Sequence, residues 1–124
     1  MLKEQVARYG RQLLLKELGV PGQATLLRTS ILIIGAGGLG SPCALYLAAA
    51  GVGRLGIVDP DVVALADLNR QILYTTAEVG QGKSRLAAGR LAALNPDTTV
   101  LPMQERLTAD NAFQLLEDYD LIVD

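Results

Sequence analysis

Ser30-Ile31-Leu32-Ile33-Ile34-Gly35-Ala36-Gly37-Gly38-Leu39-Gly40 is the stretch whose reading decides the fold of this chain. Ile31 to Ile34 form an unbroken run of β-forming residues, the pattern of a parallel strand covered on both faces. The run then breaks into glycines at Gly35, Gly37 and Gly40, the G-x-G-x-x-G positions, with Gly38 as an extra one. Glycines there permit a tight turn, let a phosphate come close to the backbone, and let the next helix pack on its strand. The amides and dipole at that helix start favour an anion. The same hexapeptide also serves a strand-to-helix turn that binds nothing, so the surrounding chain has to decide.

Downstream, Ser41 to Ala50 is rich in Ala and Leu and stops at Gly51, which predicts a helix with Pro42 accommodated in its first turn. Cys43 lies within it among small apolar neighbours, the setting of a packed structural thiol. Leu55 to Val58 reads as a second strand, with Asp59 at its end, nineteen residues past Gly40. In a strand-helix-strand unit an acid at that distance reaches ribose hydroxyls, although a strand-end aspartate also caps turns.

Asp59-Pro60-Asp61 opens a polar segment containing Asp67-Leu68-Asn69-Arg70-Gln71. There Arg70 can grip phosphate through its planar fork and Gln71 can add a neutral donor; a loop arginine in solvent is the plain alternative. Gly80-Gln81-Gly82-Lys83 precedes a helix from Ser84 to Leu94, closed by Asn95-Pro96. A lysine leaving a glycine turn at a helix start is placed as a solvent-facing contact for an anion, though without Walker spacing. Thr98 to Leu101 reads as a third strand. Thr108 reads as the cap of a short helix running to about Glu117, and Leu121 to Val123 as the start of a fourth strand.

Upstream, Leu2, Val6, Tyr9, Leu13 and Leu14 recur at helical spacing, predicting an amphipathic helix from Lys3 to Leu18 that carries Arg8 and Arg11 on its other face. A second short helix is expected from Pro21 to about Arg28. The alternation of strands and helices predicts an α/β fold: a Rossmann-like, mostly parallel sheet with helices on both faces. Residues 1–28 would form a helical segment within a single domain of residues 1–124.

The chain has a formal net charge of −2 with both signs interspersed, so nucleic acid is not expected as its main partner. No apolar stretch has the length of a membrane span and the N-terminus lacks a signal-peptide hydrophobic region, so a cytoplasmic protein without a membrane partner is expected. One cysteine and no histidine leave neither an internal disulfide nor a zinc site, and no metal ligand is assigned.

Arg8-Tyr9-Gly10-Arg11-Gln12, Gly35-Ala36-Gly37-Gly38-Leu39-Gly40, Asp59-Pro60-Asp61, Leu68-Asn69-Arg70-Gln71 and Val79-Gly80-Gln81-Gly82-Lys83, in that order, resemble the adenylating domain of the ubiquitin-activating-like family. The bacterial members nearest in pattern are the adenylyltransferases of molybdopterin and thiamine biosynthesis, and the resemblance runs from about Glu4 to the end. It implies ATP-dependent activation of a small ubiquitin-fold sulfur-carrier protein. The carrier's C-terminal glycine carboxylate attacks the α-phosphate, giving an acyl-adenylate and pyrophosphate.

By similarity, Asp59 would hold the ribose, and Gly35, Gly37 and Gly38 would let the nucleotide lie against the turn. Ala66, Asp67, Leu68, Asn69 and Arg70 would line the phosphates with Gln71 beside them. Arg70 and Lys83 would be the cations, and Arg11 an arginine supplied across a homodimer interface. The implied cofactors are ATP and Mg²⁺.

Two departures qualify the pattern. Asp67 stands where the family usually has asparagine, and a second carboxylate beside a triphosphate repels it unless magnesium sits between them. The family's magnesium-binding aspartate falls a few residues after the strand that begins at Leu121, past Asp124. The chain is therefore expected to be the N-terminal half of such a domain, unable to adenylate a carrier by itself.

The residues alone leave two other readings open. One is an NAD-binding domain of an oxidoreductase, which the glycines and Asp59 would allow but which has no need of Arg70 and Lys83. The other is a non-catalytic interaction module with the same fold. The pathway is equally open: molybdopterin, thiamine, another sulfur transfer, or a related ATP-dependent transfer-RNA modification.

Overall fold

The sheet is built around β1 (Ser30–Ile34), an inner strand, in the computed structural model, which describes residues 1–124. On one side β1 pairs in parallel with β2 (Arg54–Val58), placing Ile31 opposite Leu55 and Ile33 opposite Ile57. On the other it pairs in parallel with β4 (Leu121–Val123), placing Ile31 opposite Leu121. β3 (Thr99–Met103) extends the sheet beyond β2, so the strand order is β3-β2-β1-β4. The chain thus grows outward from β1 and then returns to its far side. Doubly wound sheets open their ligand crevices at such a reversal, outside the C-terminal strand ends.

Two crossover helices, α3 (Gly40–Ala50) and α4 (Lys83–Leu94), cover one face and touch each other. Ile31, Ile33, Leu55 and Ile57 meet Ala44 and Ala48 of α3 and Ala87 and Leu91 of α4 in the core. Alanines on the helices let them lie close over the large strand residues, and close packing of apolar atoms is what holds the layers together. The alternate strand residues face the other way. There Tyr119 lies over Gly56, where a Cβ would collide with its ring. The Arg54 guanidinium stacks on the same ring, 4.9 Å from its centroid. A right-handed return from β3 to β4 puts α5 (Ala112–Leu116) on this second face.

α1 (Lys3–Leu13) and α2 (Gly19–Arg28) dock at the end of the molecule where α3 and α4 finish. The fully buried Tyr9 donates its hydroxyl to Asp97, at 2.9 Å, and accepts from Asn95 Nδ2 at 2.8 Å. Gln12 and Gln23 both donate to the Ala50 carbonyl, at 3.0 and 2.9 Å, and Arg8 donates to that of Leu94 at 3.1 Å. These side chains satisfy carbonyls that helix C-termini leave without partners. Gly51 makes the fit possible: its φ of 96° closes α3, and a Cβ there would strike Gln23 and Tyr9.

Some boundaries differ from those the sequence suggests. α1 stops at Leu13 instead of Leu18, because Leu14 and Leu15 face solvent and burial no longer supports the helix. α2 begins at Gly19, so Pro21 falls in its first turn, where a missing N–H costs nothing. Thr108 does not cap α5. Asn111 occupies that position, its Oδ1 accepting from the Thr108 N–H at 2.8 Å and its Nδ2 donating to the Arg106 carbonyl at 2.9 Å. That local closure delays the helix to Ala112. No helix is long and apolar enough to cross a membrane.

Candidate functional site

At the C-terminal end of β1 the chain turns sharply. Gly35 has a φ of 96° and donates its N–H to the Val58 carbonyl at 2.7 Å. A Cβ at Gly40 would run into the Gly35 carbonyl, so the third glycine of the motif is where the helix lies hard against the strand end. The Ser41 hydroxyl turns back onto the Gly37 carbonyl. The amides of Gly37, Gly38, Leu39 and Gly40 find no acceptor within the chain. Four consecutive open N–H groups at the start of an 11-residue helix form a concavity suited to an anion.

Asp59 is 5% exposed and caps the turn. Its Oδ2 accepts from the Ala36 N–H and its Oδ1 from the Asp61 N–H, both at 2.7 Å. Each oxygen keeps a free lone pair. The carboxylate lines a cavity of about 350 Å³ with Ile34, Gly35, Asp61, Glu105 and Arg106. A second cavity, of about 310 Å³, lies between β1 and β4, bounded by Gly35, Gly37, Gly38, Cys43, Val123 and Asp124. The two share Ile34 and Gly35, so they flank the turn on its two sides. Cys43 is half-buried on the wall of the second cavity, more open than a packed thiol.

The loop after β2 folds over this turn. A short 3₁₀ helix, Leu65–Asn69, is closed by Asp67, whose Oδ2 accepts from the Ala64 N–H at 2.9 Å. Leu68 packs against the core, and Ala66 and Asn69 are exposed. Arg70, also exposed, donates from Nη1 to the Ala66 carbonyl at 3.2 Å and to Asn69 Oδ1 at 3.0 Å. Its Nε lies beside Gly38, 3.7 Å from where a Cβ would stand. Gln71 lies against Gly37 in the same way, 4% exposed. Its Oε1 is buried without a donor. Such an acceptor costs about 1–3 kcal/mol and marks a place where a ligand donor would be accommodated.

Lys83 corrects the sequence reading. It is 5% exposed, not solvent-facing, and its Nζ stands 3.1 Å from Asp67 Oδ2. The reason is that the glycine turn folds back on the segment after β2. Gly80 N–H donates to the Val63 carbonyl at 2.8 Å, Val63 N–H to that of Gln81 at 2.9 Å, and Lys83 N–H to that of Asp61 at 3.0 Å. Asp67 is accordingly not a bare carboxylate. The Ala64 N–H, and after it the Lys83 ammonium, hold its carboxyl below the usual aspartate range.

The structure therefore brings Gly35, Gly37, Gly38, Asp59, Arg70, Gln71 and the Asp67–Lys83 pair to one strand end. Arg11 is elsewhere: it is exposed on the last turn of α1, at the end where α3 finishes. An 11-residue helix separates that end from the glycine turn, about 16 Å at 1.5 Å per residue. Sequence reasoning missed Tyr74, whose hydroxyl donates to the Ala36 carbonyl at 2.6 Å. The signal was available, since a tyrosine inside the apolar run Ile72-Leu73-Tyr74 needs a buried polar partner.

Residues 9–124 match the ThiF family. The chain is 50% identical over 122 residues to a sulfur carrier protein adenylyltransferase of Thermus thermophilus, covering 98% of this chain and 45% of that protein. It is 50% identical over 120 residues to the adenylyltransferase and sulfurtransferase MOCS3 of Aedes aegypti, covering 97% and 28%. Among solved structures, the tRNA threonylcarbamoyladenosine dehydratase TcdA of E. coli in complex with ATP superposes with a TM-score of 0.90 at 28% identity, over 98% of this chain and 49% of that one. The chain spans less than half the length of each of these proteins. The family match takes in all but the first eight residues and includes the glycine turn, Asp59, the Arg70 loop and Lys83, so the chain belongs to the ThiF family.

Proposed function

We propose that the chain carries the ATP site of an adenylyltransferase acting on the C-terminal carboxylate of a small ubiquitin-fold sulfur-carrier protein. The observation that carries this reading is the set of open amides from Gly37 to Gly40 with Arg70 folded over Gly38. Relatives named as adenylyltransferases support it. In the reaction a carboxylate oxygen attacks the α-phosphorus and forms the acyl-phosphate bond. The bond from that phosphorus to the bridging oxygen breaks, and pyrophosphate leaves with the electron pair.

Both reactants are anions, so the site has to supply donors and positive charge where charge builds up. The turn amides and Arg70 would meet the phosphates directly. Lys83 would join them by exchanging its Asp67 partner for a phosphate oxygen. Asp59, with a lone pair free on each oxygen, would accept from the ribose hydroxyls, and the 350 Å³ cavity beside it would take the rest of the nucleoside.

Magnesium does not find a cage among these residues. No three acidic or sulfur side chains converge. Magnesium bound to ATP is commonly held by substrate phosphates with one or two carboxylates.

Residues 1–28 belong to the same unit in this proposal, since Tyr9, Gln12 and Gln23 are hydrogen-bonded to residues at the ends of α3 and α4. Arg11, a helix length from its own turn, would serve the site of a second subunit in a homodimer. The competing NAD reading leaves Arg70 and Lys83 without a task. Calorimetric titration with ATP and with NAD separates the two: tighter binding of ATP is expected, and preference for NAD would overturn the assignment.

A further inference from the structure

Ala36 is gripped at both ends of its backbone. Its N–H donates to Asp59 Oδ2 at 2.7 Å and its carbonyl accepts the Tyr74 hydroxyl at 2.6 Å. Both residues are sealed from solvent, Ala36 at 2% and Tyr74 at 5% exposed. The only other donor to that carbonyl is the Ser41 hydroxyl, at a long 3.5 Å.

A planar trans peptide points its C=O and the following N–H in opposite directions. No peptide bond in the chain is cis. With the Ala36 carbonyl turned inward onto Tyr74, the Gly37 N–H must point outward, where it has no acceptor in the chain. Gly37 and Gly38 line the 310 Å³ cavity on that outer side. Rotation of this one peptide plane would turn the amide inward and present a carbonyl oxygen, which repels phosphate. Glycine at position 37 offers little resistance to that rotation, because it lacks the Cβ that restricts φ.

We propose that Tyr74 is a positioning residue for nucleotide binding: by holding the Ala36 carbonyl, its hydroxyl keeps the Gly37 amide aimed at a phosphate of the ligand. This rests on the ATP-site reading above. Burial, and after it the charges of Asp59, Asp67 and Glu78, push the phenol well above the ordinary tyrosine range, so the hydroxyl keeps the proton it donates. Tyr74 also belongs to the segment that lays Arg70 over Gly38 and Gln71 over Gly37. One loop therefore supplies the cation and fixes the direction of the amide.

The test is Tyr74→Phe, titrated with ATP and with adenosine. One oriented hydrogen bond to a charged oxygen is worth roughly tenfold or more in affinity. ATP binding should weaken by about tenfold, while adenosine binding, which involves no phosphate, stays within twofold of wild type. A variant that binds both ligands as the wild type does, or loses both equally, makes Tyr74 a packing residue and overturns the proposal. A wild-type chain that binds ATP no better than adenosine overturns the ATP-site reading itself. Should the variant fail to fold, amide exchange in the wild type decides: the Gly37 N–H should exchange quickly when free and slowly with ATP bound. Slow exchange without ligand would show an inward, already bonded amide and refute the proposal.

Discussion

Lys83 Nζ and Asp67 Oδ2 stand 3.1 Å apart, with 7% and 16% of their side chains exposed. The cation proposed for the phosphates is thus paired with a carboxylate of the chain. A phosphate that recruits it has to compete with Asp67 for the charge. Asp67→Asn keeps an oxygen for the Ala64 N–H but removes the competing charge, so ATP should bind several-fold more tightly, as read by calorimetry. Weaker binding by the variant would mean that Asp67 acts for the ligand and not against it.

Lys83→Ala should lower ATP affinity by about 10–100-fold, the range expected for one charge-assisted contact. Contrary to the expectation for a solvent-facing lysine, it should also lower the melting temperature, because Asp67 loses its partner. In the Asp67→Asn background that loss of stability should shrink. Equal destabilisation in both backgrounds, measured by thermal unfolding, would show that the ion pair contributes nothing to the fold.

Acid should weaken the protein in a defined window. Burial alone would raise the Glu78 carboxyl, but hydrogen bonds from Thr75 and the Arg90 guanidinium outweigh it and hold the group below its ordinary 4.5. Ser30 N–H and hydroxyl hold Asp120 below 3.8. Both groups are lowered on folding, so the unfolded chain binds more protons in this range and stability rises with pH. Denaturant unfolding should therefore give constant stability above about pH 5 and a progressive loss below it. Glu78→Gln should start less stable at neutral pH and fall less steeply.

Gly40→Ala should cost about 1–3 kcal/mol or more, since the added methyl meets the Gly35 carbonyl, a backbone atom that cannot rotate away. Nucleotide binding should fall with it, because relief requires α3 to back away from the strand end. Unchanged unfolding and binding would mean that the helix start is looser than the packing at Gly40 implies.

For Arg11 the test is complementation in the protein that carries this chain. Arg70 is the better partner than Lys83, being exposed and outside the buried ion pair. Arg11→Ala and Arg70→Ala should each be nearly inactive in adenylation, and a refolded mixture should regain a substantial part of wild-type activity through one intact site per mixed dimer. A mixture that stays inactive, although mixed dimers are shown to form, would place Arg11 in its own subunit's chemistry or outside the chemistry altogether.

The legible parts of this molecule are the local ones. The run Ile31 to Ile34, the glycines after it and the acid at Asp59 carry their meaning within a few residues, and the four strands and five α-helices follow in the expected order, with some ends shifted. What was not legible depends on one segment meeting another. Lys83 is buried because residues 80–83 fold back on 61–63, a pairing with no repeating pattern to announce it. Leu14 and Leu15 continue the apolar spacing of α1, yet nothing is present to cover them, so the helix stops. Thr108 and Asn111 are both good caps by type, and only the contact of Asn111 with the Arg106 carbonyl chose between them.

The position of β1 between β2 and β4 bears on how the chain is made. Ile31 meets Leu55, 24 residues on, but must wait for Leu121, 90 residues on. At roughly 5–20 residues per second of synthesis, one edge of β1 stays bare for about 3–13 s after its other neighbour has left the ribosome. Val123 and Asp124 belong to the wall of the 310 Å³ cavity, so that side of the crevice does not exist until β4 arrives. A nascent chain can therefore assemble its glycine turn early, yet a ligand that needs both cavities engages only once β4 has paired with β1.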